Sequence, residues 1–459
     1  MKIPNRTCIL KIDLKDKHSS KSTVDQLGVC KMEYGKVLRF HRVKQGLTQN
    51  QLADGIISPA YLSKIENDQT VPAFEVLEML YERLGLDFHD SSYNHPSKEK
   101  LKEWYESFVF KHKEKAQRLM EELLSQEDTL NNHHLYIIFE LFRVRHLLLE
   151  LDVEKAYETW ENIRQHKDSF DEEMKFYYHL ITGLLKYYQG DFEDSFQELM
   201  VAKNYSSSIA LELKDWEFGD LYYILALSTS QANHISASVF YVDQALEIYQ
   251  ARYDLDKSAD CHILQGINYS KLKNYAKSLE NFHSARKIAM QTSNRNQLNL
   301  VYINIGTLES RIGNHHSAIN NYKNSLEYND SDTTYKQSYL HTTIHSLILE
   351  HYRIGDYEGC SKWIEEGEKE LEKYASKPHQ LHYDFYKRMI NDDPTLIDHL
   401  ETVMIPYFQE KKEHIYIIRY SMVLANLLEK KRMYKKSSTY LRLAIQLLNK
   451  HSHLGGILL

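Results

Sequence analysis

Two stretches of the chain, HILQGINYSKLKNYAKSLENFHSARKI at 262–288 and YINIGTLESRIGNHHSAINNYKNSLEY at 302–328, superimpose at a shift of forty residues. Gly266 meets Gly306, Tyr275 meets His315, Ser278 meets Ala318, Phe282 meets Tyr322, and Ala285 meets Ser325. The same frame returns at Gly183, Phe192, Ser195, Leu199 and Ala202, and at Ala226, Ile235, Ser238, Val242 and Ala245. It returns again at Ile348, Tyr357, Cys360, Ile364 and Gly367, and closes at Ala425, Tyr434, Ser437, Leu441 and Ala444. Weaker copies surround Trp104, Val144 and Tyr386. A unit of this length cannot bury its apolar face alone and has to stack on its neighbours. The spacing describes a helix hairpin: small sites let the two helices approach, and the aromatic nine residues later fills the gap to the next hairpin. With only seven prolines and sixteen glycines in 459 residues, the class is all-α.

Composition narrows the function classes. There is no run of eighteen apolar residues, and MKIPNRTCILKIDLKDKHSSK is too charged for a signal-peptide core, so a cytoplasmic protein without a membrane partner is expected. Cys8, Cys30, Cys261 and Cys360 lack CxxC spacing and are expected as free thiols. A net charge of -7 excludes blanket attraction to nucleic acid, so any DNA contact must be local. No Walker loop, GxSxG, GxGxxG or paired-carboxylate motif occurs, so neither an enzyme nor a cofactor is expected. His341 and His345, four apart, lack a third ligand and are expected as a satisfied or exposed pair rather than a metal site.

A second local pattern lies near the front, at LTQNQLADGIISPAYLSKIEND, residues 47–68. Thr48 and Gln51 have capping-box spacing, and Ser58 before Pro59 reads as an N-cap followed by a first-turn proline. Gly55 can take the backbone conformation that a sharp corner between two helices needs. Leu52, Ile56, Leu62 and Ile65 are spaced to be buried, which leaves Gln49, Ala60, Tyr61, Ser63 and Lys64 outside. Such short polar residues suit a helix whose N-terminal part meets base edges in a major groove. The DNA-facing set is therefore Gln49, Ser58, Ala60, Tyr61, Ser63 and Lys64, with Arg42 from an upstream amphipathic helix that also carries Lys36, Arg39 and Lys44. Residues 32–90 hold six Lys or Arg against nine Asp or Glu, so one copy should bind modestly and a dimer on two half-sites, or a tetramer, is expected. Residues 1–31 read as a basic arm touching DNA, as a flexible leader, or as an over-called start ahead of Met32.

The L-T-Q-x-Q-L-A and Y-L-S-K-I-E-N stretches resemble the lambda-repressor-like helix-turn-helix family over about residues 33–90, with a corner one residue shorter than its commonest form. That resemblance implies a five-helix DNA-binding domain, followed by a linker at 91–98. The forty-residue frame resembles a lengthened tetratricopeptide repeat, which implies a right-handed superhelix of about eight or nine hairpins over residues 99–450. An irregular α-solenoid of another type would change the functional reading little. In the tetratricopeptide frame the first helix of each hairpin lines the concave face. Its inward sites are then Asn304 in I-N-I-G, with Asn268, Gln265, Tyr223, Lys271, Arg311, His345, Arg353 and Asn426. Asparagine and glutamine offer a donor and an acceptor together, which suits an extended peptide backbone.

The order of the two patterns resembles the RNPP family of quorum-sensing receptors, most of all its longer NprR-type members, over about residues 33–450. The resemblance implies a cytoplasmic regulator whose oligomeric state and operator binding follow a short signalling peptide held in the repeat channel. Some relatives act on a sporulation response regulator, which keeps open a second reading, inhibition or dephosphorylation of such a partner. A third is a helix-turn-helix protein that uses its repeats only to bind another protein.

Overall fold

The computed structural model describes residues 34–67, 69–70, 72–86, 96–110, 112–124, 133–329 and 334–450. The expected leader at 1–31, with Cys8 and Cys30, and most of the linker at 91–98 lie outside them. Every regular element among the described residues is helical. Four short helices come first: α1 (Tyr34–Lys44), α2 (Gln49–Ala53), α3 (Pro59–Glu66) and α4 (Phe74–Arg83). Leu38, Leu52, Leu62, Ile65, Leu77 and Leu80 form their shared core, while Ile56 packs on it half-buried. A fifth helix of this domain does not occur among the described residues.

The hairpins follow in chain order: α5 (Pro96–Val109) with α6 (Lys113–Leu124), α7 (His133–Leu149) with α8 (Val153–Arg164), and α9 (Glu172–Gln189) with α10 (Phe192–Ser208). Next come α11 (Asp215–Gln231) and α12 (Ile235–Ala251), then α13 (Leu255–Lys271) with α14 (Tyr275–Gln291), and α15 (Arg295–Ile312) with α16 (His315–Glu327). Then α17 (Thr334–Arg353) precedes α18 (Tyr357–Lys373), and α19 (Lys377–Ile390) precedes α20, made of Leu396–His399, a π turn at Leu400–Met404 and Ile405–Glu410. The π turn sits just before Pro406, whose nitrogen cannot donate to an α-helical ladder. The last hairpin is α21 (His414–Lys430) with α22 (Tyr434–Lys450). The first repeat helix thus begins at Pro96, three residues ahead of the expected boundary at 99.

The described residues of 13–232 and 247–254 form one compact unit, and those of 233–246 and 255–459 another. In both, the small site of the repeat frame is where two helices touch. A Cβ on Gly306 would stand 2.8 Å from the Tyr322 ring, Gly266 faces Phe282 in the same way, and Gly183 faces Leu199. Ser195 and Ser278 reinforce the contact, each donating its hydroxyl to the glycine carbonyl, Gly183 or Gly266, at 2.7 Å. The gap filler is therefore the large residue sixteen positions after the small one. The aromatic nine positions on, expected in that role, starts the second helix instead and is half-buried at Phe192 and Tyr275 and exposed at Tyr357 and Tyr434.

Seven positions after the small site the backbone turns left-handed. This occurs at Gly190, Asn233, Lys273, Gly313, Gly355 and Arg432, with φ between 58° and 90°. The turn geometry is common to the repeat although only half of these residues are glycine.

The first unit also buries a polar network. Arg145 on α7 pairs with Asp220 on α11 at 2.9 Å and with the Tyr105 hydroxyl of α5. Glu173 on α9 meets Lys98 at 2.7 Å, Lys102 at 3.1 Å and His134 at 3.1 Å. Burial alone would lower the His134 imidazole, but hydrogen bonds to Asp171 and Glu173 raise it to about 9.

In the second unit, His345 of α17 stacks on His382 of α19 with centroids 4.4 Å apart, and His341 on His379 at 5.2 Å. Tyr420 hydrogen-bonds His382 Nδ1 at 2.5 Å, Ser376 meets His379, and His341 meets the Tyr374 carbonyl. His341 is thus satisfied as expected, but His345 is buried with no hydrogen bond at Nε2. Among the described residues no cluster of His, Cys, Asp or Glu could hold a metal ion. Burial, with His341 next, pushes His379 down to about 3. Burial also holds His345 and His382 well below the ordinary histidine value, helped by the Arg419 charge.

Unfolded imidazoles titrate near 6.5, whereas these take up protons in the folded state only at much lower pH. Their stabilising effect is complete above about 6.5 and falls as pH drops below it, by roughly 1.4 kcal/mol per pH unit for each imidazole. His345→Phe keeps the stack and loses no hydrogen bond at Nε2. Denaturant unfolding between pH 7 and 5 should show a steep loss of stability in the parent and a shallower one in this variant, by up to about 1.4 kcal/mol per pH unit. Equal slopes would mean that His345 is not held neutral.

Candidate functional site

The corner of the front domain is built as its residues dictate. Thr48 N–H donates to Gln51 Oε1 at 2.7 Å, and Gln51 N–H donates back to Thr48 Oγ1 at 3.2 Å. Ser58 Oγ accepts from Tyr61 N–H at 3.2 Å, Pro59 opens α3, and Gly55 turns the chain at φ +69°. Arg83 donates to the Leu52 and Asp54 carbonyls, closing the C-terminal end of α2 from α4.

The orientation of α3 is fixed by a buried acid. Glu66, 2% exposed, receives Arg42 Nε at 2.6 Å and Nη2 at 2.9 Å, and Gln49 Nε2 at 2.7 Å. Arg42 also donates from Nη1 to the Leu47 carbonyl at 2.8 Å. A two-pronged guanidinium–carboxylate pair is geometrically exacting, so it locks α1 and α3 to each other with α2 between them. Of the residues expected to face DNA, Arg42 and Gln49 therefore spend their donors inside the domain. Ser58, Ala60 and Lys64 are exposed, and Tyr61 and Ser63 are half-buried, with Tyr61 packed on the core.

The first helix is occupied on its other side as well. Phe40 meets Tyr136 of α7 at 5.3 Å and His166 at 5.4 Å, and Lys44 lies 4.7 Å over the Tyr136 ring. Burial lowers the Lys44 ammonium, while Glu140 opposes the shift. Arg39 and Lys64 are thus the exposed bases of α1 and α3 whose donors form no ion pair among the described residues.

The expected channel residues separate into two groups. Asn268 is fully buried and donates to Ser238 Oγ at 2.8 Å, because two positions after the small site a side chain enters the hairpin packing. Tyr223 is also fully buried, and His345 belongs to the imidazole stack, so these three are corrected to core positions. Gln265, 7% exposed, donates to Asp243 Oδ1 at 2.5 Å. Asn304, 8% exposed, donates to its own helix at the Leu300 carbonyl at 2.8 Å, which leaves its carbonyl oxygen and second N–H uncommitted among the described residues. Lys271 and Arg311 are half-buried, and Arg353 and Asn426 are exposed. Arg311 donates to Ser270 Oγ at 3.1 Å and Arg353 to Ser310 Oγ at 2.9 Å, so successive first helices are cross-linked along one row.

The helix-turn-helix family model matches residues 38–90. The transcriptional activator NprA of Geobacillus stearothermophilus is 33% identical over 406 residues, covering 86% of this chain and 98% of the relative. The chain belongs to the RNPP family. Among solved structures, the apo form of the quorum sensor NprR from B. thuringiensis aligns with a TM-score of 0.65 at 19% identity, covering 76% of this chain and 98% of that one. NprR in complex with its cognate peptide NprX aligns with a TM-score of 0.56 at 19% identity, covering 78% and 99%. These likenesses show the fold: a helix-turn-helix and tetratricopeptide-like hairpins in one RNPP chain.

In this RNPP member, sequence reasoning missed Glu66, whose place inside Y-L-S-K-I-E-N was the one available signal: an acid on the apolar side of a short helix. Removing one partner of such a buried pair leaves an uncompensated charge. Arg42→Ala should lower the unfolding free energy of the front domain by about 3 kcal/mol. Arg42→Ala with Glu66→Leu should recover most of it. Denaturant titration checks this, and an Arg42→Ala loss below about 1 kcal/mol would return Arg42 to a surface role.

Proposed function

We propose that this chain is a cytoplasmic transcription regulator that binds an operator in double-stranded DNA through α3 and a short signalling peptide along the row of first repeat helices. The observation that carries the reading is the union, in one RNPP chain, of a corner braced by Arg42 and Glu66 with a row of first helices bearing Asn304, Arg311 and Arg353. The transcriptional activator relative supports the DNA half, and the relative solved with its cognate peptide supports the other. No helix among the described residues is long and apolar enough to cross a membrane.

The DNA surface is formed by Ser58, Ala60 and Lys64, with Tyr61 and Ser63 at its edge. Few bases serve it, so affinity comes from two copies on two half-sites. The last helix offers a contact for a second copy: Tyr434, Leu441 and Ile445 of α22 are 61%, 38% and 54% exposed. Homodimers through this face fit the expected stoichiometry.

Selection from random double-stranded DNA with the purified full chain should enrich a sequence with two symmetry-related half-sites. Lys64→Ala should weaken its binding about tenfold, and it should leave the melting temperature unchanged because the ammonium is exposed. Enrichment of no sequence, or a Lys64→Ala protein that binds as the parent does, would remove the assignment.

A further inference from the structure

Phe40 on α1 is 3% exposed, yet it stands outside the core that Leu38, Leu52, Leu62 and Leu80 build for the front domain. Rings of the repeat region, within the same compact unit, lie against it instead. The Tyr136 ring of α7 is tilted across it with centroids 5.3 Å apart, and His166, just after α8, meets it edge-on at 5.4 Å. Lys44, one helical turn further on, makes a second contact to the same partner. Its Nζ stands 4.7 Å over the Tyr136 ring and 5.8 Å over Phe40. Edge-on rings and a cation over an aromatic face are directional contacts, so together they fix an angle as well as a distance.

Arg42 lies two positions from each of these residues, about 200° round the helix. There it holds Glu66, the last residue of α3, by hydrogen bonds of 2.6 and 2.9 Å. One helix of eleven residues thus has a side docked on the repeats and, nearly opposite, a side braced to α3.

We propose that α1 is a joint that fixes the direction of α3 relative to α7, and that it thereby sets which spacing of half-sites the assembled protein accepts. The inference rests on the operator reading given above. A front domain attached by its chain alone could turn to meet its half-site, and spacing would matter little. With α3 tied to α1, and α1 to α7, the two reading helices of a dimer stand at one separation and one angle. Half-sites moved apart by half a turn of the duplex, about five base pairs, then face opposite sides and cannot be read together. A movement of α7 likewise carries α3 with it, which gives the repeat region a mechanical route to the groove.

The test uses the full chain with Phe40→Ala and, from the other side of the joint, Tyr136→Ala. Both leave the Arg42–Glu66 brace and the exposed face of α3 in place. A sequence selected with the parent is rebuilt with about five base pairs inserted between its half-sites, and a single half-site serves as reference. The parent should lose about tenfold or more in affinity on insertion. Each variant should lose about threefold or less, while binding the single half-site as the parent does. Lys44→Gln, at an exposed position whose replacement spares the core, should lie between the two. The same loss on insertion in the parent and all three variants would overturn the joint. So would weaker binding of the single half-site by Phe40→Ala, which would assign Phe40 to the fold of the front domain. A parent that binds no selected sequence would overturn the operator reading itself.

Discussion

The repeat region depends on two helices coming close enough for a ring to lie against a glycine, Phe282 on Gly266 and Tyr322 on Gly306. That contact sets the rotation of each first helix and so decides what every other frame position can do. Two residues after the glycine, a side chain is driven into the packing, which is why Asn268 is spent on Ser238. Five residues after it, the side chain emerges beside the neighbouring first helix, and Arg311 and Arg353 reach back to Ser270 and Ser310. Solvent access is thus confined to a few positions per hairpin by a packing constraint.

Charge follows a similar division in the front domain. It holds few bases, and the structure uses Arg42 to brace Glu66 and sets Lys44 over Tyr136. Such internal pairs add little net stability against apolar alternatives, but they hold geometry, and the orientation of α3 is what a groove-reading helix requires. On the proposed reading, so few bases left for phosphates would make assembly of two copies part of recognition.

Features set within a few residues were legible in the sequence. The Thr48–Gln51 box, the Ser58 cap, the Gly55 corner and the glycine sites of the repeat all arise from local spacing. The left-handed turns at Lys273 and Arg432 were not, because the hairpin imposes a conformation those residues do not favour. Nor were the imidazole stack, joined from α17 and α19, or the division of the channel set into buried Asn268, Tyr223 and His345 and accessible Lys271, Arg311, Arg353 and Asn426. Periodicity says that these residues lie on first helices. Which side of the helix is closed depends on a neighbour forty residues away.

The central claim is that one chain carries two ligands that affect each other's binding. By linkage, a peptide that changes operator affinity by some factor must have its own affinity changed by the same factor when the operator is bound. The direct measurement is a pair of titrations on the full chain at fixed salt: operator binding with and without saturating peptide, and peptide binding with and without saturating operator. Two matching factors of about five or more, corresponding to roughly 1 kcal/mol of coupling, are expected. Operator affinity that is the same with and without saturating peptide would contradict the claim.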